Sequence, residues 1–580
     1  MKSKLNYIKL LALSILVVFA ANSCNKFLTI PPLDDFTDDN YWRSESNVET
    51  FAWGLYNQLI GYGSLTNAEF YWQEEGDNSS DMKYCEDLLN NEFLGFPKGV
   101  YIQNSKWNGY YSNIRKTNLM IERVETVEML EPARNHWTGV AKFFRAYNYF
   151  ALVSSWGGIP MPLKYTSPDS EEEIYLPRSE RKVVVDQIVA DLKDAISKLY
   201  ASTPDCEVNK DAARALLARV ALFEGTFRKY HKLGDADVML ELAATTAQGL
   251  IDDGKYSLGN NTFKNKFVSD DLSGSSEMIL YKRYEQNVLM HSIQSHTHCS
   301  APAISGLTKY AVDSYACTDG LPISQSTLYM GDKGIDNVRA NRDDRLLGTI
   351  APDLGYYGKP YAEILVSSTG YILDLFDNPE VPKDAPGVTL EIGNYIDAPL
   401  FTISEIYLIL AEAKAELGTL TQTDLDATIN KLRERAKIAP LTLSGSDVMA
   451  SGIVINDPVR TSPLEVKTKG GVVSPIIWEI RRERRSELMS WMLLRHSDID
   501  RWAKGEYMSS ADNKDVMLGA WIGTLPAGVD NLGMNKDGYI TYSKDYTREF
   551  NEKYYLDPIP QDNIILYENK GYTLEQNPGW

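Results

Sequence analysis

The stretch Lys210–Tyr230, KDAARALLARVALFEGTFRKY, decides how the rest of the chain is read. Its Ala residues (212, 213, 215, 218 and 221) fall on several faces of a helix rather than on one. Ala favours helix and keeps the surface slim, so neighbouring helices can approach closely. The spacing therefore predicts a helix buried inside a stack of helices.

Working outward, the same periodicity returns on both sides. Residues 133–155 form a helical segment that stops before Trp156-Gly157-Gly158-Ile159-Pro160. Residues 179–200 open with Ser179 as a plausible N-cap and place Val184, Ile188, Leu192 and Ile196 along one face. Further helices are expected over 236–253, ended by Gly254, over 402–418, ended by Gly418, and over 423–437, capped by Thr423 or Asp424. A last long helix is expected over about 474–504. Helix pairs joined by short turns point to a tetratricopeptide-like stack, whose unit is about 34 residues, although no strict repeat is visible.

Two regions break the pattern. Residues 256–399 and 509–580 are rich in Gly, Pro, Ser, Asp and Tyr, with short strand-like pieces such as Met278-Ile279-Leu280-Tyr281. Long irregular regions in compact proteins tend to carry function. Ligand contacts are expected there and on the stretch from about 61 to 108. The helical scaffold then covers about 34–255 and 400–508 of one domain, 24–580.

Composition agrees. At 580 residues the chain exceeds a single core of about 250–300 residues. Its net charge of −20 argues against a nucleic-acid partner. Five Cys do not make a disulfide scaffold. Tyr (35) and Trp (11) together outnumber Phe (17), which favours amphipathic aromatic surface.

The N-terminus reads as an export signal. Lys2, Lys4 and Lys9 precede the uncharged run Leu10–Ala21, which is too short for the roughly 20 residues that span a bilayer. Ala21-Asn22-Ser23-Cys24 resembles the lipobox of bacterial lipoproteins, which would make Cys24 the lipidated first residue of the mature chain. An ordinary cleaved signal is the alternative. Loss of residues 1–23 takes three Lys and no acid, moving the net charge from −20 to −23.

Catalytic signatures are missing. The chain has no G-x-S-x-G, H-E-x-x-H or G-x-x-x-x-G-K-[ST], and Gly61-Tyr62-Gly63 lacks the third glycine of a dinucleotide fingerprint. His291, His296, His298 and Cys299 cluster, but their spacing matches no metal-ligand pattern, and no metal or other cofactor is assigned. The run Arg481-Arg482-Glu483-Arg484-Arg485-Ser486-Glu487 mixes signs and predicts intrahelical and interhelical ion pairs.

Several strings, in order along the chain, then resemble the SusD/RagB family of surface glycan-binding lipoproteins from Bacteroidetes. They are Cys24-Asn25-Lys26-Phe27-Leu28, Tyr41-Trp42, Phe144-Arg145-Ala146, Trp156-Gly157-Gly158-Ile159-Pro160 and Ala212–Leu222. There follow Asp319-Gly320-Leu321-Pro322-Ile323, Glu405-Ile406-Tyr407-Leu408, Leu432-Arg433-Glu434-Arg435-Ala436, Tyr555–Pro560 and Gln576-Asn577-Pro578-Gly579-Trp580. Met492-Leu493 and the terminal Trp580 depart from the family pattern. The resemblance implies a mostly α, SusD-like fold: four tetratricopeptide-like hairpins plus a loop-rich, partly β ligand-binding face. It also implies a lipid anchor in the outer membrane, facing outward, and a SusC-like TonB-dependent transporter as partner. The implied ligand is an oligosaccharide or polysaccharide, bound without catalysis.

A sugar-binding face needs rings to stack on C–H faces and polar groups to fix hydroxyls. Tyr71, Trp72, Asp77, Asn78, Asp81 and Tyr84 supply that mixture in one region. Tyr281, Arg283, Tyr284, Gln286, His291 and His296 supply it in another. Trp72 and Tyr284 lead these candidates, each weighed against a packing role. The competing readings are a binder of another nutrient, such as peptide or host glycoconjugate, an exported glycoside hydrolase, and a lid that never touches ligand.

Overall fold

The helix at Lys210 is built as expected, with Asn209 opening it: its side-chain oxygen accepts the N–H groups of Asp211 and Ala212, both at 3.0 Å. The computed structural model describes residues 41–62, 88–90, 104–166, 170–260, 262–291, 293, 305–355, 367–377, 394–491, 494–525, 533–541 and 547–580. The central helix runs Lys210–His231 and ends at Lys232, which takes the left-handed conformation at φ 61°. Ala212, Ala213, Ala215, Ala218 and Ala221 are all fully buried.

The stack is assembled in chain order. Helix α1 spans Glu45–Tyr56, α2 Ser105–Val124, α3 Glu131–Trp156, α4 Arg181–Lys198, α5 Lys210–His231 and α6 Ala236–Asp252. Inside the first irregular region lies α7 (Lys309–Ser314); after it come α8 (Ile403–Glu416), α9 (Gln422–Ala427), α10 (Ile429–Arg435), α11 (Pro475–Glu487) and α12 (Leu494–Arg501), and α13 (Gln561–Asn569) lies in the second. Each long helix packs on the next: α2 on α3, α3 on α4, α4 on α5 and α5 on α6. The stack then jumps the irregular region, with α6 on α8 and α8 on α11. The mostly helical reading holds. Strands among the described residues make only two-stranded sheets and one of three strands.

Several boundaries differ from expectation. Ser179 does not cap α4; Glu180 precedes it without a side-chain cap, and Ser179 instead bridges to Ile159. The segment 423–437 is two short helices broken at Thr428, and the first is capped by Thr421 in a reciprocal box with Asp424. The expected helix over 474–504 is also broken. Leu488 leaves helical geometry, Ser490 sits at φ 58°, and the indole of Trp491 turns inward to donate to Pro399 O at 3.0 Å. Helix α2 was not expected. Its Asn, Gly, Ser, Arg and Lys hide a stripe of Trp107, Ile114, Met120 and Val124, all buried.

The charge run of α11 is a buried crossroads. Glu483 binds Arg345 at 2.8 Å and also Arg433. Glu487 binds Lys266 at 2.8 Å and also Arg435. Arg484 reaches Asp498 at 2.7 Å, and Arg501 grips Glu412 through two bonds of 2.6 and 2.7 Å. The interhelical pairs expected from the mixed signs are therefore present, and the partners come from elements far apart in sequence.

The C-terminus locks onto the end of α3. Asn577 donates to Asp557 O at 2.6 Å and Trp156 O at 3.1 Å, while Trp156 donates its indole N–H to Pro558 O at 3.1 Å. Gly157 takes φ 75°, and a side chain on Gly158 would press on Ser179 O at 2.6 Å. That explains the Gly-Gly of the 156–160 motif.

Candidate functional site

The site is built from the anchors of the irregular segments. Strand β1 (Leu88–Asn90) pairs antiparallel with β3 (Ser305–Leu307), register Leu88 with Leu307 and Asn90 with Ser305. Strand β2 (Met278–Lys282) pairs antiparallel with β4 (Ala398–Thr402), which runs directly into α8. Just after β2, the Tyr284 hydroxyl accepts the N–H of Tyr62 at 2.8 Å. Gly61 makes this turn at φ 60°; a Cβ there would lie 2.8 Å from the Tyr284 hydroxyl. Lys282 donates to Leu59 O at 2.9 Å and to Ile60 O at 3.3 Å, so the chain is clamped as it leaves α1.

His291 completes the cluster. Its N–H donates to Asn394 O at 2.8 Å, and the Asn394 N–H returns the bond at 3.2 Å. Its ring lies 5.0 Å from Tyr62 and 4.5 Å from Tyr284. Phe376 stands edge-on to Tyr62 at 5.4 Å. Asp397 accepts the N–H groups of Leu272 (2.9 Å) and Tyr284 (2.8 Å). Burial pushes its carboxyl up to about 6, against those two bonds and Arg283, which pull it down.

These contacts have a topological consequence. Segment 63–87 departs at Tyr62 and returns at β1. Segment 294–304 departs just beyond His291 and returns at β3, the partner of β1. Segment 378–393 departs beside Phe376 and returns at Asn394, the partner of His291. Segment 356–366 returns at Ser367, where Gly306 of β3 comes so close that a Cβ would overlap the Ser367 hydroxyl. Strand β5 (Leu518–Trp521) joins the same rim, since Ala520 N–H donates to Thr369 O at 2.7 Å. The two stretches singled out for sugar binding thus start and finish at one rim.

Individual candidates fare differently. Tyr71, Trp72, Asp77, Asn78, Tyr84, His296 and Cys24 lie outside the described residues, as do His298 and Cys299. Arg283 and Gln286 are exposed. Tyr281, Tyr284 and His291 require a correction: they are buried, at 4%, 2% and 1% exposure. Tyr284 cannot serve as a sugar platform in this arrangement because its ring packs on Tyr62 and His291. Tyr281 packs with Leu272 and Met278, beside Cys206. Both ring nitrogens of His291 serve the backbone: Nε2 bonds Ile396 O at 2.9 Å and Nδ1 accepts from Ile293 at 3.3 Å. Burial holds its pKa down to about 3, so the ring is neutral, and with both nitrogens already bonded it has no lone pair to offer a metal. Among the described residues no group of three His, Cys, Asp or Glu could hold a metal ion.

Sequence reasoning passed over Gly61, Tyr62, Asn394 and Asp397. The only local signal was the glycine of Gly61-Tyr62, set aside as an incomplete phosphate motif.

Comparison with known proteins places this architecture. The sequence profile of the SusD family matches residues 276–580, and a SusD-like family described as starch-binding and associating with the outer membrane matches residues 21–222. A SusD-like protein of Formosa agariphila, P38, is 23% identical over 73% of this chain and 81% of its own length. A SusD-like carbohydrate-binding protein from Bacteroides fragilis superposes with a TM-score of 0.68 at 20% identity, covering 90% of this chain and 98% of that one. A laminarin-binding SusD-like protein superposes with a TM-score of 0.60 at 18% identity, covering 93% and 100%. Among the described residues no helix is long and apolar enough to cross a membrane.

Proposed function

The chain belongs to the SusD family, and from that premise we propose that it is a surface lipoprotein that captures an oligosaccharide or polysaccharide. Lipidation at Cys24 holds it on the outer membrane, facing outward. It binds without catalysis and hands its ligand to a SusC-like TonB-dependent transporter. The observation that carries this reading is the shared rim: segment 63–87, with Tyr71, Trp72 and Tyr84, and segment 294–304, with His296, start beside the contact of Tyr62 with His291 and end at the paired strands β1 and β3. Trp72 and Tyr71 are the platforms of choice. Asp77, Asn78, Tyr84, Arg283 and His296 supply bonds to hydroxyls, and Tyr281, Tyr284 and His291 hold the rim from beneath. The similarity to a laminarin-binding SusD-like protein makes laminarin the first ligand to try.

The test is affinity electrophoresis of the mature chain in gels carrying laminarin and a panel of other polysaccharides. Retardation by at least one glycan is expected. Trp72→Ala should weaken it about tenfold, or ~1.4 kcal/mol, with an unchanged melting curve. Indifference to every glycan, or release of sugar from labelled polysaccharide by the pure protein, overturns the reading.

A further inference from the structure

A cavity of about 500 Å³ lies away from the rim, between α7, α11, α12 and the chain around Pro322 and Val459. It shares no lining residue with the rim. Its volume falls inside the ~300–1,000 Å³ of small-ligand sites. Half-buried rings of Trp478, Tyr310 and Tyr329 form its walls. Guanidinium groups form its floor. Arg485 stacks on Tyr310 at 4.6 Å, and Arg481 is held between Tyr230 (4.6 Å) and Trp502 (4.4 Å). Arg495 lies over Trp502 at 5.7 Å.

The carboxylates of the lining are spoken for in part: Asp457 is bound by Arg482, and Asp313 by Lys309. Arg481 reaches Glu416 at 3.2 Å with one nitrogen, while its buried Nε has no acceptor. One guanidinium of the lining thus keeps an open buried donor. Nearer solvent the lining turns to hydroxyl-bonding groups, Ser324 and Asp515 among them, both exposed. A planar guanidinium fork suits a carboxylate, flat rings suit a sugar's C–H face, and a polar mouth suits its hydroxyls.

We propose that this cavity is a second binding site, for a sugar-sized ring that carries a carboxylate: a uronate. The uronate arrives either as a free sugar acid or as the end of an oligosaccharide.

Isothermal titration of the mature full-length chain tests the assignment, with D-glucuronate, a short oligogalacturonate and D-glucose as probes. Saturable binding of either uronate is expected, at least about tenfold tighter than glucose. Val459→Trp, a 40% exposed position of the lining, should fill the cavity and abolish uronate binding while leaving the buried arginines untouched. Tyr329→Ala should weaken it about tenfold. Absence of uronate binding, glucose binding of equal strength, or full uronate binding by Val459→Trp overturns the proposal. None of these outcomes depends on whether polysaccharide binds at the rim, which Val459→Trp should leave unaltered.

Discussion

Asp397 ties two distant backbone segments together through the N–H groups of Leu272 and Tyr284, and it does so from a buried position. Its folded pKa of about 6 lies above the ordinary 3.8. The folded state therefore binds more protons than the unfolded state between those values, and its contribution to stability falls as pH rises from about 3.8 to about 6. Above that window the contribution is flat. Hydrogen exchange of the rim, corrected for the intrinsic rate, should show stronger protection at pH 5 than at pH 7, and Asp397→Asn should flatten the difference. Unchanged or weaker protection at pH 5 would show that another group governs the rim. Tyr284→Phe makes a separate prediction. It leaves the buried Tyr62 N–H without its acceptor, at a cost of about 1–3 kcal/mol, read as loss of protection at Tyr62. None of this was visible in the sequence. Tyr284 sits in an aromatic, polar stretch of sequence much like that around Trp72, and composition does not reveal that its ring packs on His291. That packing depends on Gly61 and Asp397, which are far from Tyr284 in sequence.

Helices were legible where one rule sufficed and illegible where two competed. The Ala faces of α5 identified it because small residues on all sides have only one use, close packing. Helix α2 was missed because its Tyr, Asn and Gly lower helix propensity, and the stripe through Trp107 and Ile114 overrides them. The break between α11 and α12 was missed because no Gly or Pro announces it; burial of Met489 and Trp491 turns the chain instead. Glycines inside helices offer a paired test with opposite signs. Gly225 of α5 faces Leu240 of α6 so closely that a Cβ would lie 2.9 Å from its side chain and 3.0 Å from its backbone N. Gly225→Val should cost about 1–3 kcal/mol from overpacking, well beyond the roughly 0.3–0.5 kcal/mol of helix propensity gained on replacing Gly by the β-branched Val. Gly109 of α2 has nothing within 4 Å of where its Cβ would be. Gly109→Ala should therefore stabilise by about 0.4–1 kcal/mol. Urea unfolding of both variants checks the pair, and equal signs would contradict the packing described.

At the scale of the whole molecule, the helical stack and the order of family motifs were readable because each rests on local periodicity. What joins the halves was not, because it consists of long-range charge pairs. Glu487 of α11 meets Lys266, which precedes β2, together with Arg435 of α10 and Arg345, so one carboxylate holds three separate elements. Glu412 of α8 plays the same part for Arg501 of α12. Burial raises both carboxyls, but the guanidinium and ammonium groups outweigh it and pull each to about 2. A carboxylate whose folded pKa is depressed stabilises fully above its unfolded pKa, here 4.5, and loses that contribution as pH falls toward the folded value. The protein should thus hold its stability down to about pH 4.5 and lose it steeply between there and pH 2, while the rim tightens as pH falls toward 4. Glu487→Gln tests the account. At pH 7 it leaves three buried cations without their shared partner and should cost about 3–5 kcal/mol. Its acid limb should also be shallower than the wild type's, because one of the titrating carboxylates is gone. Added salt should shift the acid midpoint little, since buried pairs are poorly screened. A variant that keeps wild-type stability at pH 7, or an acid midpoint that tracks ionic strength, would mean that surface charge rather than this buried network holds the two halves together.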